Sequence, residues 1–139
     1  YKMDKIQDSE IETLLKMTNN ESTQIITQEF IEDIYEGDFR ILIIHGKPFK
    51  KTLARIPQGD SFKGNLAAGG KGVVKDISDF QFEMASEIGD FLIQKDINFA
   101  GIDVIGNFLT EINVTSPTCA RQILDQSGEN PIQEYFEKL

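Results

Sequence analysis

The sequence is poor in the side chains that form disulfides or nucleophile–base pairs. It contains one cysteine, Cys119, one histidine, His45, and no tryptophan. A lone thiol cannot close an intramolecular disulfide, which favours a reducing, cytoplasmic location. No partner base for Cys119 is evident, so we interpret it as a small buried side chain and not as a nucleophile. His45 is interpreted as a solvated turn residue.

The sequence also lacks a long apolar run and an excess of positive charge. No segment approaches the roughly 18 apolar residues of a membrane span, so no membrane partner is expected. Lys and Arg number 14 against 23 Asp and Glu, a net charge of −9. An acidic surface repels nucleic-acid backbones, so nucleic acid is not an expected partner, and a site for any other phosphate ligand would need Mg²⁺ or a few placed cations. The chain begins with Tyr1 and not with Met, so we expect that part of the parent protein precedes it.

Local patterns predict one domain, residues 1–139, of the α+β class. The expected architecture is an antiparallel sheet with helices packed on one side. Ser9 and Ser78 are candidate N-caps of two helices. The predicted helices are 9–18, 79–95, 119–126 and one that begins at Pro131, and the predicted strands are 23–31, 39–44, 49–56, 98–105 and 108–114. The predicted apolar face of the helix 79–95 consists of Phe80, Met84, Ile88, Phe91 and Leu92.

A cluster of oxygen-bearing side chains lies near the end of the chain. Glu111 and Asn113 are two residues apart on a predicted strand, so both project from one face and offer hard oxygen ligands to Mg²⁺. Asp103 joins that face if the turn between the two predicted strands is a three-residue loop, 105–107. It lies on the opposite face if that turn has two residues. On spacing alone, a half-exposed strand of an acidic protein explains the same residues.

A glycine-rich stretch, about 57–72, forms the second informative segment. It is not a P-loop, because Asn65 and Gly72 stand where glycine and Ser or Thr would be needed, and it is not a dinucleotide-binding fingerprint, because Lys75 replaces the last glycine. Its backbone N–H groups and lysines could cover an anion as a mobile lid. An exposed surface loop without a function fits the composition equally well.

Two longer motifs resemble prokaryotic glutathione synthetases, a family with the ATP-grasp fold. They are Ala-Arg-Ile-Pro-Gln-Gly followed by Lys-Gly-Asn-Leu-Ala-Ala-Gly-Gly, and Ile-Asp-Val-Ile-Gly-Asn followed by Leu-Thr-Glu-Ile-Asn-Val-Thr-Ser-Pro-Thr-Cys. The resemblance implies the C-terminal part of an ATP-grasp domain. It also implies that Asp103, Glu111 and Asn113 hold Mg²⁺, with Mn²⁺ as an alternative.

The resemblance assigns the remaining site residues as well. Arg40 and Arg55 would bind phosphate or substrate carboxylates as catalytic groups; without the resemblance, each is a strand arginine paired with a nearby acid. The ATP-binding residues would be Gln28, Glu29, Phe30, Ile31 and Asp38, the last near the ribose. The lid and substrate residues would be Lys63, Gly64, Asn65, Gly69, Gly70, Ser116, Pro117 and Thr118. Lys63 stands where the family often has arginine, which keeps the charge but loses bidentate geometry.

The activity implied by the resemblance is ATP-dependent joining of γ-glutamylcysteine and glycine through an acyl phosphate. The partners would be ATP, these two substrates, the rest of the parent enzyme and further copies in a dimer or tetramer. Because the substrate domain and the lysine-bearing ATP subdomain of the family are not in this chain, we expect little or no turnover by the chain alone. Two alternatives remain: another ATP-grasp carboxylate–amine ligase, and a non-catalytic nucleotide- or peptide-binding module.

Overall fold

The computed structural model describes residues 2–3, 7–59 and 61–139. The chain divides into two compact units, one that ends at Ile31 and one that begins at Glu32. Residues 32–139 thus form one compact unit, and the single domain predicted for residues 1–139 stays a prediction. Among the described residues, no helix combines the length and the apolar character that crossing a membrane requires.

The first unit contains one helix, α1, Asp8–Met17. The residue before this helix is Gln7, whose side chain makes no capping hydrogen bond, whereas Ser9 lies inside the first turn and donates to Glu10 Oε2 at 2.7 Å. The prediction of Ser9 as N-cap is therefore wrong. The strand predicted at 23–31 is also wrong, since these residues adopt no regular structure.

The second unit is built on a five-stranded antiparallel sheet with the order β3-β2-β1-β4-β5. The strands are β1 Asp38–Ile44, β2 Lys47–Ile56, β3 Lys71–Asp76, β4 Phe99–Ile105 and β5 Phe108–Asn113. Strand β1 pairs with β2 on one side and with β4 on the other, so the sheet leaves no place beside β1 for the strand predicted at 23–31. Strand β3 was not predicted, and it takes Lys71 and Gly72 out of the predicted lid.

Helices lie on both faces of this sheet. They are α2 Asp79–Ile93, α3 Ala120–Ser127 and α4 Pro131–Glu137, with short 3-10 helices at Glu32–Tyr35 and Leu66–Ala68. Ile41 and Ile43 belong to the core that includes α2, whereas Leu42 and Ile44 belong to the core that includes α3. Successive strand residues point to opposite faces. The α+β class and the antiparallel sheet are confirmed, but the packing of helices on one side is corrected.

Helix α2 begins directly after Ser78, the predicted N-cap, which forms a complete capping box with Gln81. Its buried positions are Gln81, Ala85, Gly89 and Leu92, while Phe80 and Phe91 of the predicted apolar face are about half exposed. Gly89 is fixed by a close approach, because a Cβ there would lie 2.2 Å from the carbonyl oxygen of Gly46. The helix thus rests on the β1–β2 turn through a position that excludes side chains.

Candidate active site

The β4–β5 hairpin brings Asp103 and Glu111 opposite each other. Ile105 pairs with Phe108 across a two-residue turn, and Val104 pairs with Leu109, but Asp103 pairs with Glu111. Thr110 is therefore the extra residue of a β-bulge, and its hydroxyl donates to the Asp103 carbonyl at 3.1 Å. The metal interpretation required a three-residue loop, and this prediction is wrong, because the turn has two residues. The bulge instead brings Asp103 onto the face of Glu111, because one inserted residue exchanges the two faces of the strand.

The oxygen-bearing side chains expected to bind a metal share this face of the sheet. Asp103 is buried, Glu111 is exposed, and Asn113 lies opposite Gly101. Glu111 makes no hydrogen bond or ion pair with the described residues, whereas Asn113 Oδ1 accepts from the backbone N–H of Thr115 and of Ser116 at 3.2 and 3.1 Å. Carboxylate and amide oxygens are the hard ligands that Mg²⁺ prefers, so the donor set suits this ion.

Among the described residues, no group of three or more His, Cys, Asp and Glu side chains is placed to hold a metal ion. The expected set differs in kind, since it consists of two carboxylates and one amide. Such a set leaves several coordination positions for water and nucleotide phosphate oxygens, which is the usual pattern for Mg²⁺.

Asp103 also belongs to a buried cluster of four charges, formed with Arg40, Arg55 and Asp38. Arg40 donates through Nε and Nη2 to the two carboxylate oxygens of Asp103, the Nη2 bond being 2.8 Å long. Arg55 Nη2 lies 2.7 Å from Asp103 Oδ2 and 2.5 Å from Asp38 Oδ2. The register of the sheet produces the cluster, because β1 places Arg40 beside Asp103 of β4 and Asp38 beside Arg55 of β2.

Burial and ion pairing shift the pKa values of the side chains in this cluster. The hydrogen bond to Asp103 raises the pKa of Arg40. For Arg55, burial is the largest single influence and lowers the pKa, but Asp103 and Asp38 together outweigh it and raise the pKa. Both guanidinium groups therefore stay charged. Loss of hydration raises the pKa of Asp38 in spite of its ion pair with Arg55. The charged form of Asp38 is thus held at a cost.

The two arginines keep hydrogen-bonding capacity for a ligand. Arg40 and Arg55 use Nε and Nη2 for the bonds within the protein. Among the described residues, the buried side-chain nitrogen or oxygen without a partner is Asp38 Oδ1 alone, so the Nη1 groups of both arginines are not orphaned in the core. A guanidinium with fixed orientation and free N–H groups suits phosphate or carboxylate.

The glycine-rich loop closes over one side of the cluster. Gly64 is buried, and a Cβ there would lie 2.5 Å from the carbonyl oxygen of Arg55. A Cβ at Gly70 would in turn lie 2.0 Å from the carbonyl oxygen of Gly64, so the loop folds back on itself. Leu66 packs against the core that includes Leu53 and so anchors the loop.

Other residues of the loop are exposed, namely Lys63, Asn65 and Gly69. The Asn65 carbonyl accepts a hydrogen bond from the Gly70 N–H at 3.2 Å. Asp60 of the predicted lid lies outside the described residues.

The segment between β5 and α3 borders the other side. A Cβ at Gly101 would lie 2.9 Å from Pro117 Cβ and 3.0 Å from Arg40 Cδ, so Pro117 crosses directly above this glycine. Ser116 and Thr118 beside it are exposed. Cys119 is buried, as interpreted from the sequence, and adopts a left-handed backbone conformation with φ 86°.

Four of the predicted ATP-binding residues, Gln28 to Ile31, belong to the first unit. Gln28 and Glu29 are exposed and Phe30 and Ile31 are half-buried, in a segment without regular structure. The Lys2 ammonium lies 3.9 Å from the centre of the Phe30 ring. These residues thus form an irregular segment, in place of the end of the strand predicted at 23–31.

Two further residues, Gly101 and Thr52, shape the site and were not predicted. Gly101 admits the 116–118 segment and the Arg40 stem, and a glycine inside a predicted strand is a signal of such close approach. Thr52 is buried and donates to the Arg40 carbonyl at 2.8 Å. No local pattern distinguishes Thr52 from an ordinary strand threonine. His45 was interpreted as solvated, but it stacks on Tyr135 with 4.9 Å between ring centres.

Comparison with known proteins identifies the class of this site. Residues 2–128 match the family described as "Prokaryotic glutathione synthetase, ATP-grasp domain". The matched region is therefore an ATP-grasp domain, and the chain belongs to the prokaryotic glutathione synthetase family.

Individual relatives agree with this assignment. The chain is 45% identical over 123 residues to the glutathione synthetase of Xylella fastidiosa strain 9a5c, which covers 88% of this chain and 39% of that protein. It is 50% identical over 120 residues to that of Nitrosomonas europaea (86% and 37% covered). It is 47% identical over 116 residues to that of Pseudomonas aeruginosa (84% and 36% covered). The chain thus spans less than two fifths of the length of these relatives.

Proposed function

We propose that this chain is the part of an ATP-dependent ligase that carries its metal ligands, two phosphate-binding arginines and a substrate lid. The parent protein would join γ-glutamylcysteine and glycine, with release of ADP and phosphate. The observation that supports this most is the shared sheet face, on which Asp103, Glu111 and Asn113 adjoin the guanidinium groups of Arg40 and Arg55. The family membership supplies the reaction class.

The residues on this face suit transfer of a phosphoryl group to a carboxylate. Attack of the cysteinyl carboxylate on the γ-phosphate forms an acyl phosphate and ADP, and the glycine amine then displaces phosphate to form the peptide bond. Arg40 and Arg55 would bind the phosphoryl oxygens, since their orientation is set by buried carboxylates before the ligand arrives. Such preorganisation avoids reorganising two long side chains during the reaction.

Asp103, Glu111 and Asn113 would hold Mg²⁺, or Mn²⁺ in its place, which when bound offsets charge on the nucleotide phosphates. The residues of this chain that would exclude water are those of the lid, above all Gly64, Asn65, Gly69 and Gly70. Lys63 would add positive charge at its tip. The Ser116, Pro117 and Thr118 segment would hold part of the peptide substrate beside Arg40.

Gln28, Glu29, Phe30 and Ile31 remain predictions as the adenine-binding segment, and Asp38 remains one for the ribose. Nucleotide, both substrates and the rest of the parent protein are the proposed partners, in a cytoplasmic homo-oligomer. The chain of 139 residues by itself is proposed to be inactive.

The function is tested by ADP release from the full-length protein with γ-glutamylcysteine and glycine. We expect ADP formation to require both substrates together. Replacing glycine by alanine or by longer amines should lower the rate sharply. Equal rates with other amino-acid acceptors would instead indicate a different carboxylate–amine ligase. Nucleotide binding without ADP formation under any of these conditions would indicate a binding module.

A further inference from the structure

The two carboxylate oxygens of Asp38 have different surroundings. Oδ2 accepts from Arg55 Nη2 at 2.5 Å, and Arg55 in turn contacts Asp103. Oδ1 is buried and has no hydrogen-bond partner among the described residues. A buried oxygen without a donor is costly, so a partner is expected for it: a water, a bound ligand or a backbone N–H that approaches it.

The lid loop lies directly beside that carboxylate. The position that a Gly64 Cβ would occupy is 3.3 Å from Asp38 Cβ and 2.5 Å from the Arg55 carbonyl oxygen. A side chain at residue 64 could not fit there, so the backbone of the lid passes over the Asp38–Arg55 pair at contact distance. Backbone N–H groups of a glycine-rich loop are suitable donors to a carboxylate.

We propose that Asp38 is a positioning residue that connects Arg55 to the lid: Oδ2 orients the guanidinium, and Oδ1 accepts a backbone N–H of the lid as the loop closes. This rests on the proposed function, in which Arg55 and the lid surround the substrates. One carboxylate would then link the closure of the lid to the orientation of a phosphate-binding arginine. A lid N–H donated to Oδ1 would also offset the loss of hydration that raises the pKa of Asp38.

Asp38→Asn in the full-length protein separates the two halves of this role. The amide oxygen can still accept from Arg55, and the NH₂ group then replaces Oδ1 and offers a donor where the lid needs an acceptor. Gly64→Ala disturbs the same contact from the lid side and leaves every charge in place. Asp76→Asn is the matched control, because Asp76 is a carboxylate of the same sheet paired with Lys51 but 77% exposed.

The readout is the rate of tryptic cleavage after Lys63, the exposed residue next to Gly64, measured without ligands and with saturating nucleotide and substrates. Cleavage of a native protein reports the population of the open loop when closing is fast. We expect Asp38→Asn and Gly64→Ala each to speed cleavage about fivefold to tenfold, the weight of one buried hydrogen bond. Asp76→Asn should leave the rate unchanged. The double variant should exceed neither single variant by much, since both act on one contact.

Two outcomes would overturn the proposal. In the first, Asp38→Asn is cleaved after Lys63 at the wild-type rate both with and without ligands. In the second, Asp76→Asn speeds cleavage after Lys63 as much as Asp38→Asn does, which would make the effect one of sheet charge and not of this contact. Because cleavage is also measured without ligands, a protein that proved to have no ligase activity would still report on this contact. The failure of the proposed function would thus be visible separately.

Discussion

Replacing Asp103 by Asn should destabilise the protein far more than removing an exposed carboxylate from the same sheet. Asp103 is 5% exposed and neutralises Arg40, which is 4% exposed. Asparagine has the same shape and keeps one acceptor, but it leaves the Arg40 guanidinium buried without a counter-charge. Breaking a buried pair from one side costs about 3–5 kcal/mol. We expect about 3 kcal/mol, because Arg55 retains Asp38.

The control is Asp76→Asn, which removes an ion pair of 2.6 Å between Lys51 Nζ and the exposed Asp76 carboxylate. Exposed pairs contribute about 0–1 kcal/mol and are weakened by salt. The free energy of unfolding of the three proteins is measured by urea denaturation at low and at high ionic strength. Equal losses for the two variants, or a loss for Asp103→Asn that disappears in high salt, would refute the account of a buried charge cluster.

Two further predictions concern stability. Gly89→Ala should lower the free energy of unfolding by about 2 kcal/mol, because the new Cβ would meet the Gly46 carbonyl, although alanine normally stabilises a helix by up to about 1 kcal/mol. The control is Asp90→Ala at the exposed neighbouring position, which should be neutral or slightly stabilising. A Gly89→Ala protein that is more stable than the wild type would contradict the close packing of α2 on Gly46. The raised pKa of Asp38 means that the folded protein holds this proton to a higher pH than the unfolded chain does, so stability is lost as the pH rises through the folded pKa. Asp38→Asn lacks this titration, so its stability relative to the wild type should increase as the pH rises from 3.8, the ordinary Asp value, towards neutrality, and denaturation curves that show a constant or falling difference would contradict it.

The parts of the fold that depend on local signals were predictable. The strands predicted at 39–44 and 49–56 flank the turn residues His45 and Gly46, and the structure places them close to those bounds. Ser78 and Gln81 form a capping box that is visible as a sequence pattern. In both cases the determining interactions lie within a few residues of each other along the chain.

The missed strand β3 depends on distant contacts. Its first two residues, Lys71 and Gly72, were predicted as the end of the glycine-rich loop, and residues 73–76 were assigned to no element. The strand is fixed by pairing with β2 and by the Gln126 side chain, which accepts from Val74 N–H at 2.9 Å and donates to the Gly72 carbonyl at 3.2 Å. The amide thus covers the outer edge of β3 as a neighbouring strand would. No sequence pattern within 71–76 indicates that a side chain more than 50 residues away, Gln126, will pair with this edge.

The site shows the same division. The spacing of Glu111 and Asn113 predicted their shared face, but the way Asp103 reaches that face was beyond the sequence. A turn and a bulge satisfy the same geometric requirement, and only the pairing of the folded strands distinguishes them. The partners of Arg40 and Arg55 were likewise undetermined, since each could have paired with any of many acids. The register across three strands selected Asp103 and Asp38.

The most direct test of the central claim is metal–nucleotide binding by the full-length protein, with Mn²⁺ as the spectroscopic probe. Electron paramagnetic resonance measures free Mn²⁺ in the presence of nucleotide for the wild type, Glu111→Gln and the exposed α2 control Glu87→Gln. If the face that carries Asp103, Glu111 and Asn113 holds the metal, Glu111→Gln should weaken Mn²⁺ retention by more than about tenfold. Glu87→Gln should bind as the wild type does. Unchanged retention by Glu111→Gln would contradict the assignment of the metal, and with it the proposed ligase centre, to this face of the sheet.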